Sequence, residues 1–82
     1  MATIRLIILS PEETLFDRKV DAVTLPGTTS PFEVLADHAP ILSSLDKGVI
    51  TWRTAGEEDG SLQITSGFVE VIDNQVIAAV EV

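Results

Sequence analysis

The side chains of this sequence best suited to chemistry are Asp37 and His38, with Ser43 and Ser44 a few residues further on. A catalytic base needs an orienting carboxylate and a nucleophile within hydrogen-bond reach. Neighbouring residues of an extended strand point to opposite faces, so we do not expect Asp37 to orient His38. We interpret His38 as a partly buried residue that bonds backbone groups at a corner of the chain, or contacts a partner. An enzyme built on Asp37 and His38 is the least favoured alternative.

Three consecutive acids, Glu57, Glu58 and Asp59, are the second group with possible chemistry. A calcium loop needs carboxylates at alternating positions and a distant bidentate glutamate, which this run lacks. We predict that the run is the solvated tip of a hairpin. The sequence has no cysteine, so thiolate metal sites are excluded, and it has no glycine-rich phosphate loop. The sequence therefore predicts no catalytic residue, no metal and no cofactor.

Composition limits the possible partners. The chain has 82 residues with 13 Asp or Glu and five Lys or Arg, which gives a formal net charge of −8. Nucleic acids and anionic lipid surfaces both require a basic patch, so both are disfavoured, whereas a partner with a basic patch is favoured. The apolar run of residues 6–9 is too short for a signal segment or a membrane span. We predict one soluble domain, residues 1–82, without direct membrane insertion.

Alternation of apolar and polar residues along most of the chain is typical of β-strands. About nine short strands, separated by turn residues at roughly 8–12-residue spacing, predict an all-β sandwich or barrel. The first strand, residues 4–9, is expected to bury one face fully and the other partly. Residues 10–14 resemble a helix start, but the apolar pattern does not continue, so we predict a turn there. Gly67 is expected to mark a bulge or a close approach of two backbones.

Three of the four prolines and the single histidine lie in residues 25–45. Pro26 and Pro40 fix φ and donate no N–H, while Gly27 can adopt a positive φ. These residues predict two corners of the chain, with one short apolar segment, residues 32–35, between them. The rigid backbone of residues 25–45 indicates a surface held in a fixed shape. We expect this surface to carry the function.

The same region resembles the epsilon subunit of F-type ATP synthase, which is called delta in mitochondria. The resemblance rests on a Pro-Gly turn, a short apolar segment, a His-Ala-Pro element followed by two aliphatic residues, and a later Leu and Gly. In this sequence these are Leu25-Pro26-Gly27, Phe32, Val34-Leu35, His38-Ala39-Pro40-Ile41-Leu42, Leu45 and Lys47-Gly48-Val49. The first strand with its following corner and the closing residues 66–76 match as well, so the resemblance covers essentially the whole chain.

The resemblance implies a flattened β-sandwich of about nine to ten short, mostly antiparallel strands. It also implies a non-catalytic subunit of the central stalk, the rotor. Such a subunit binds the gamma subunit and the c-ring and couples ion translocation, of protons or sodium, to ATP synthesis. It is peripheral on the cytoplasmic face of the bacterial inner membrane, soluble in isolation, and not expected to form a homo-oligomer.

The resemblance further implies two sets of contacts. The residues that match the family's c-ring-facing end are Thr28, Thr29, Ser30, Pro31, Glu33 and His38. The residues that match its gamma-facing region are Pro40, Ile41, Leu42 and Ser43. An acidic end would complement the loops of the family's c-ring, which are polar and carry arginine.

The sequence departs from the family pattern in two places. Pro31 and Glu33, or Ser30 if the gap is placed differently, stand where the family usually has glycine, so we expect another backbone shape for this loop. The family usually continues into a two-helix C-terminal domain that can inhibit ATP hydrolysis, and this sequence stops where that domain would begin. If the protein ends here, we expect coupling without inhibition by that route; if the sequence is a piece of a longer protein, the inhibitory domain has been removed from it. The alternative function is a free-standing β-sandwich module that binds a sugar or a peptide, with Trp52 as its candidate aromatic.

Overall fold

The computed structural model describes residues 2–82, and this part of the chain folds into nine β-strands without a helix. In chain order the strands are β1 (Ile4–Leu9), β2 (Thr14–Val20), β3 (Ala22–Leu25), β4 (Phe32–Val34), β5 (Ile41–Leu45), β6 (Gly48–Arg53), β7 (Gly60–Ile64), β8 (Ser66–Ile72) and β9 (Gln75–Glu81). The predicted all-β class and strand number are confirmed. The predicted turn after β1 is also confirmed, since the N–H of Ser10 donates to the carbonyl of Glu13 at 2.8 Å.

The strands form two sheets that pack face to face as a sandwich rather than closing into a barrel. The five-stranded sheet has the order β2-β1-β9-β8-β5, and the four-stranded sheet has the order β4-β3-β6-β7. Among the described strands, β1 and β9 pair in parallel and the other pairs are antiparallel. The domain measures 32 × 24 × 20 Å. The flattened, mostly antiparallel sandwich expected from the resemblance is therefore confirmed.

The core lies between the sheets and takes every second residue of the long strands, because successive side chains of a strand point to opposite faces. In β1, Ile4, Leu6 and Ile8 are buried, whereas Ile7 and Leu9 on the other face are half-buried, as expected. The rest of the buried layer comes mainly from Val20, Val23, Leu25, Val34, Leu45, Ile50, Ile64, Val69, Val71, Val76, Ala78 and Val80.

The connections gather at two opposite ends of the sandwich. One end carries the turn Asp73-Asn74 between β8 and β9, together with residues 35–40 between β4 and β5. Both turn residues are left-handed, with φ of 50° and 62°, as a two-residue hairpin turn of type I′ requires. The other end carries residues 26–31, where the N–H of Thr28 donates to the carbonyl of Ser44 at 3.2 Å. The proline-rich segment, residues 25–45, therefore reaches both ends of the domain.

Two glycines are explained by crowding. A Cβ on Gly67 would lie 2.7 Å from the carbonyl oxygen of Ala79 on the neighbouring strand, which confirms the expected close approach. A Cβ on Gly27 would lie 2.7 Å from the carbonyl oxygen of Ser30 and 2.9 Å from the ring of Phe32. Gly27 does not use the positive φ that glycine allows. Lack of space, rather than backbone freedom, accounts for glycine at that corner.

We predict that Gly67→Ala lowers the free energy of unfolding by about 1–3 kcal/mol, because the added methyl meets a backbone oxygen that cannot turn away. Urea unfolding followed by Trp52 fluorescence measures this change. Ser66→Ala, at an exposed position of the same strand, is the matched control and should stay within about 0.5 kcal/mol of the parent. Equal stability of the Gly67→Ala variant and the parent would contradict the assigned close approach.

Candidate docking surface

The two outward sides of the sandwich differ in character. The outward side of the five-stranded sheet displays large apolar side chains, among them Leu42 at 81% exposure, Phe68 at 66% and Ile72 at 43%. The outward side of the four-stranded sheet is mostly polar. The outward positions that reach the surface are Thr24, Glu33, Val49, Thr51, Arg53, Ser61 and Gln63. Because contiguous exposed apolar surface is uncommon on a monomeric domain, the five-stranded side is the candidate for docking.

Strand register joins these apolar residues into one surface. Phe68 lies opposite Ala79 on β9, and Ala79 lies opposite Leu9 on β1. A second row runs from Leu42 through Glu70 to Ile77 and then to Ile7. We call this surface the apolar face, and its members are Ile7, Leu9, Leu42, Phe68, Ile72, Ile77 and Ala79. The face spans four adjacent strands and is interrupted by the exposed Glu70 between Leu42 and Ile77, so a partner would meet a stiff and mainly apolar surface rather than a loop.

A shallow groove extends the apolar face toward the end that carries Ser10 and Pro11. Its walls come from β1, β5, β8 and β9 and include Phe68, Ala79 and Leu45. The groove is open and has no deep floor that would enclose a small ligand. Its shape fits contact with another protein chain better than capture of a metabolite.

An ion pair borders the apolar face on β1 and β2. The Arg5 guanidinium donates from Nε to Oδ1 of Asp17 at 2.9 Å and from Nη2 to Oδ2 at 2.8 Å. These hydrogen bonds, together with the charge of Arg5, hold the pKa of the Asp17 carboxyl below its usual range. The same contact raises the pKa of Arg5. A charged rim beside an apolar centre is the usual anatomy of a protein interface.

The residues predicted to face the c-ring do not form one cluster. Residues 28–31 are exposed beside the end of β5, where Thr28 Oγ1 lies 3.0 Å from Ser44 Oγ. Glu33 points outward from the four-stranded sheet and accepts a hydrogen bond from Arg53 Nη2 at 3.1 Å. His38 lies at the opposite end of the domain, next to the turn between β8 and β9. The contacts of residues 28–31 and of His38 with a ring remain predictions, and the structure places them at different ends.

His38 lies in a corner of the chain that we define as residues 35–40. Its ring is exposed, so the expected partial burial is wrong. The expected hydrogen bond to backbone is present, because Nδ1 lies 2.7 Å from the carbonyl oxygen of Ala39. A carbonyl only accepts, so Nδ1 carries the proton and Nε2 of the neutral ring is left as an acceptor facing solvent.

Asp37 does not orient His38, as predicted, but for another reason than the one expected. The backbone at Asp37 is left-handed, with φ of 65°, rather than extended. Its side chain bonds to Asn74 instead of the imidazole. In the described chain His38 makes no hydrogen bond to a serine or threonine hydroxyl. The arrangement supplies no catalytic base with a nucleophile.

The residues predicted to face gamma divide between the two sides of β5. Leu42 points outward and belongs to the apolar face, and Pro40 is exposed at the start of the strand. Ile41 and Ser43 are half-buried on the side of the core, where Ser43 Oγ donates to the carbonyl of Ser44 at 3.0 Å. Sequence reasoning missed Phe68 as a partner of Leu42. The signal was available as alternation in residues 66–72, which buries Val69 and Val71 and turns Phe68 outward.

The remaining candidates have structural roles. Glu57 lies on an exposed loop, as predicted, and accepts hydrogen bonds from Arg18 Nη2 at 2.8 and 3.0 Å. Trp52 is half-buried against the core, with its ring centroid 4.4 Å from that of Phe16. This packing does not favour the alternative of a sugar- or peptide-binding module built on an exposed Trp52.

In residues 2–82, no three His, Asp or Glu side chains come together as metal ligands. Within the same residues, no helix is long and apolar enough to cross a membrane. The fold and the apolar face together define a β-sandwich domain in which one outward side is the candidate docking surface.

The chain belongs to the family described as ATP synthase, Delta/Epsilon chain, beta-sandwich domain, whose pattern matches residues 3–82. The ATP synthase epsilon chain of Nostoc sp. is 36% identical over 75 residues, which are 90% of this chain and 55% of that relative. The ATP synthase epsilon chain of Sulfurovum sp. is 37% identical over 81 residues, which are 99% of this chain and 63% of that relative. The chain thus spans little more than half the length of the relatives it matches.

Solved structures agree with the fold. A chain in the mitochondrial ATP synthase of Euglena gracilis, in a structure of OSCP, F1 and the c-ring, superposes with a TM-score of 0.90 at 24% identity. This match covers 98% of the present chain and 51% of that one. A chain in the central stalk and c-ring structure of Tetrahymena thermophila mitochondrial ATP synthase gives 0.83 at 17% identity, covering 99% and 65%. This chain therefore shares its overall fold with parts of those two chains.

We predict that Asp17→Asn destabilises the domain at neutral pH but not in acid. Because the pKa of Asp17 is lowered by folding, its contribution is present above the unfolded pKa of about 4 and is lost as pH falls through the folded pKa. The difference in free energy of unfolding between parent and variant should therefore vanish toward pH 2. Urea titrations across this pH range measure it.

Glu58→Gln, which removes a carboxylate from an exposed loop, is the control for loss of charge alone. It should not reproduce the pH dependence of Asp17→Asn. Addition of 1 M salt should also reduce the Asp17 effect, because both partners are exposed to solvent. A pH-independent difference between parent and Asp17→Asn would contradict the role given to this ion pair.

Proposed function

We propose that this chain is a non-catalytic subunit of the central stalk of an F-type ATP synthase. In this role it binds the gamma subunit and the c-ring and couples ion translocation through the ring, of protons or sodium, to ATP synthesis. Membership in the delta/epsilon family supports the assignment to ATP synthase. The single observation that carries the docking role is the apolar face, which offers a large one-sided surface on an otherwise polar domain.

Gamma is the proposed partner of the apolar face. Burial of exposed apolar area is the main favourable term in protein association, and large residues near the centre of an interface contribute most of the affinity. Phe68 and Leu42 are the most exposed members of the face and lie on neighbouring strands, so we expect them to be the anchors. The Arg5–Asp17 ion pair would lie at the rim and set orientation more than affinity.

The c-ring is the proposed partner of the end of the sandwich that carries the corner. The corner presents the acceptor Nε2 of His38, where polar ring loops that carry arginine would find a hydrogen-bond acceptor. Residues 28–31 present their hydroxyl groups at the opposite end, so we do not assign them to the same contact. Glu33 is already bonded to Arg53, so part of its charge is compensated before any partner arrives. The role places the chain on the cytoplasmic face of a bacterial inner membrane, attached through the ring.

We predict that Phe68→Glu and Leu42→Glu each weaken binding to recombinant gamma by about 30-fold or more, because a carboxylate replaces a buried anchor. Isothermal titration calorimetry against gamma measures the affinity, which we expect in the nanomolar to micromolar range for the parent. Val49→Glu is the matched control, since Val49 is 42% exposed on the opposite side of the sandwich. It should bind within about twofold of the parent.

Absence of binding by the parent at about 100 μM, a concentration at which calorimetry detects even weak complexes, would overturn the proposed function. Equal loss in the Val49→Glu variant would show that gamma does not use the apolar face in particular.

We further predict that charge reversal by Glu33→Lys weakens assembly on the c-ring while gamma binding is retained. The change removes an acceptor for basic ring loops and repels Arg53, which lies on the polar side of the sandwich. Co-purification with c-ring and binding to isolated gamma report the two contacts separately. Glu33→Gln, which removes charge without reversing it, should give an intermediate loss. Parallel loss of both contacts would contradict the assignment of Glu33 to the ring.

A further inference from the structure

Asn74 is the point at which three separate segments of the chain meet. Its carbonyl accepts the N–H of Arg5 on β1 at 2.9 Å. Its side-chain Oδ1 accepts the backbone N–H of Asp37 at 2.5 Å, and its Nδ2 donates to Asp37 Oδ1 at 3.2 Å. Asp37 and Asn74 are 37 positions apart, so these two bonds fasten the corner to the hairpin turn between β8 and β9. The backbone N–H of Asp37 thus bonds to the side-chain oxygen of Asn74, and the carboxylate of Asp37 bonds to the side-chain nitrogen of Asn74.

The corner has little else to hold it. It connects β4 with β5, and residues 35–40 lie outside the strand ladders. Within the corner the N–H of His38 donates to the carbonyl of Leu35 at 3.3 Å, which shapes the turn but does not anchor it. Ala36 packs against the core. In the described chain, the bonds that tie the corner to another segment are therefore the two that join Asp37 and Asn74.

Residue type at both positions supports a role for the side chains. Asp37 and Asn74 have φ of 65° and 62°, a region that glycine occupies at no steric cost and other residues rarely adopt. Asp and Asn tolerate it better than most, yet glycine would satisfy the backbone alone more easily. The hairpin turn accounts for the left-handed backbone of Asn74, whereas Asp37 lies outside such a turn, and its left-handed backbone is accompanied by the two bonds to Asn74.

We propose that Asp37 and Asn74 are positioning residues. They hold the corner in the shape that binds the c-ring, so that Nε2 of His38 is directed to the ring. This inference rests on the proposed function and deepens it. A corner ordered before binding loses less conformational freedom on association, so the pair raises affinity without touching the partner. Neither residue needs to lie in the interface for its loss to weaken the complex.

The test is Asn74→Gly, which keeps a left-handed backbone and removes both side-chain bonds. In the isolated chain we expect the Asp37 amide to exchange about tenfold faster by NMR, while the amides of β1, β8 and β9 keep their protection. Binding to the complex of gamma and c-ring should weaken about five- to twentyfold, as expected for two lost hydrogen bonds. Asp73→Gly is the matched control, because it changes the neighbouring left-handed residue of the same turn. It should alter neither measurement.

Swapping the two side chains tests whether Asp37 only positions the corner or contacts the partner directly. Asn74→Asp alone sets two carboxylates against each other and should release the corner. Adding Asp37→Asn restores a donor opposite an acceptor with the net charge unchanged, so protection and affinity should both return to within about twofold of the parent. Recovery of protection without recovery of affinity would overturn the inference, because Asp37 itself would then contact the partner.

An unchanged hydrogen-exchange rate of the Asp37 amide in the Asn74→Gly variant would also overturn the positioning role. Failure of the parent to bind the complex of gamma and c-ring at all would instead refute the proposed function. The exchange measurements need no partner, so the two failures are distinguishable.

Discussion

The register of β5, β8, β9 and β1 is the constraint on which the rest of the structure depends. The same pairing that sends Val69 and Ala78 into the core sends Phe68 and Ile77 outward. A shift by one residue would exchange the two sets and bury the outward carboxylates of Glu70 and Glu81, so burial resists it. Two local features also fix the register: the two-residue turn between β8 and β9, and the close approach at Gly67, which admits no side chain.

Because of this arrangement, only the five-stranded sheet has an apolar outward side, and this difference between the sheets matters for docking. The four-stranded sheet covers its outward side with hydroxyl groups and with the ion pair of Glu33 and Arg53. A partner therefore gains apolar burial on one side only, which selects a single orientation of the domain. The loops at the two ends of the sandwich, residues 26–31 and 35–40, would then be free to contact other molecules that adjoin that partner. In the role proposed above, the contribution of the domain would be its fixed shape between neighbouring subunits.

Much of the fold could be predicted from the sequence, because strands of period two and turn residues are local signals. The first strand, the acidic turn after it and the final hairpin were all readable in this way. The shape of the corner was not, since the left-handed backbone of Asp37 depends on Asn74, a residue distant in sequence. Phe68 could not be assigned to the core or to an interface from the sequence, because an aromatic residue in a strand looks the same whether it faces the core or a partner. Only the register decides, and register is a long-range property.

The parallel pairing of β1 and β9 has a consequence for how the chain is made. β9 is the third of five strands in its sheet, yet it is the last to be synthesised of the nine. Until it leaves the ribosome, β1 and β8 lack the neighbour that joins them, and one large sheet exists as two fragments with open edges. Such long-range closure is slow and leaves apolar strands unprotected during translation. Nascent chains of this domain should therefore be clients of chaperones until residue 81 is free.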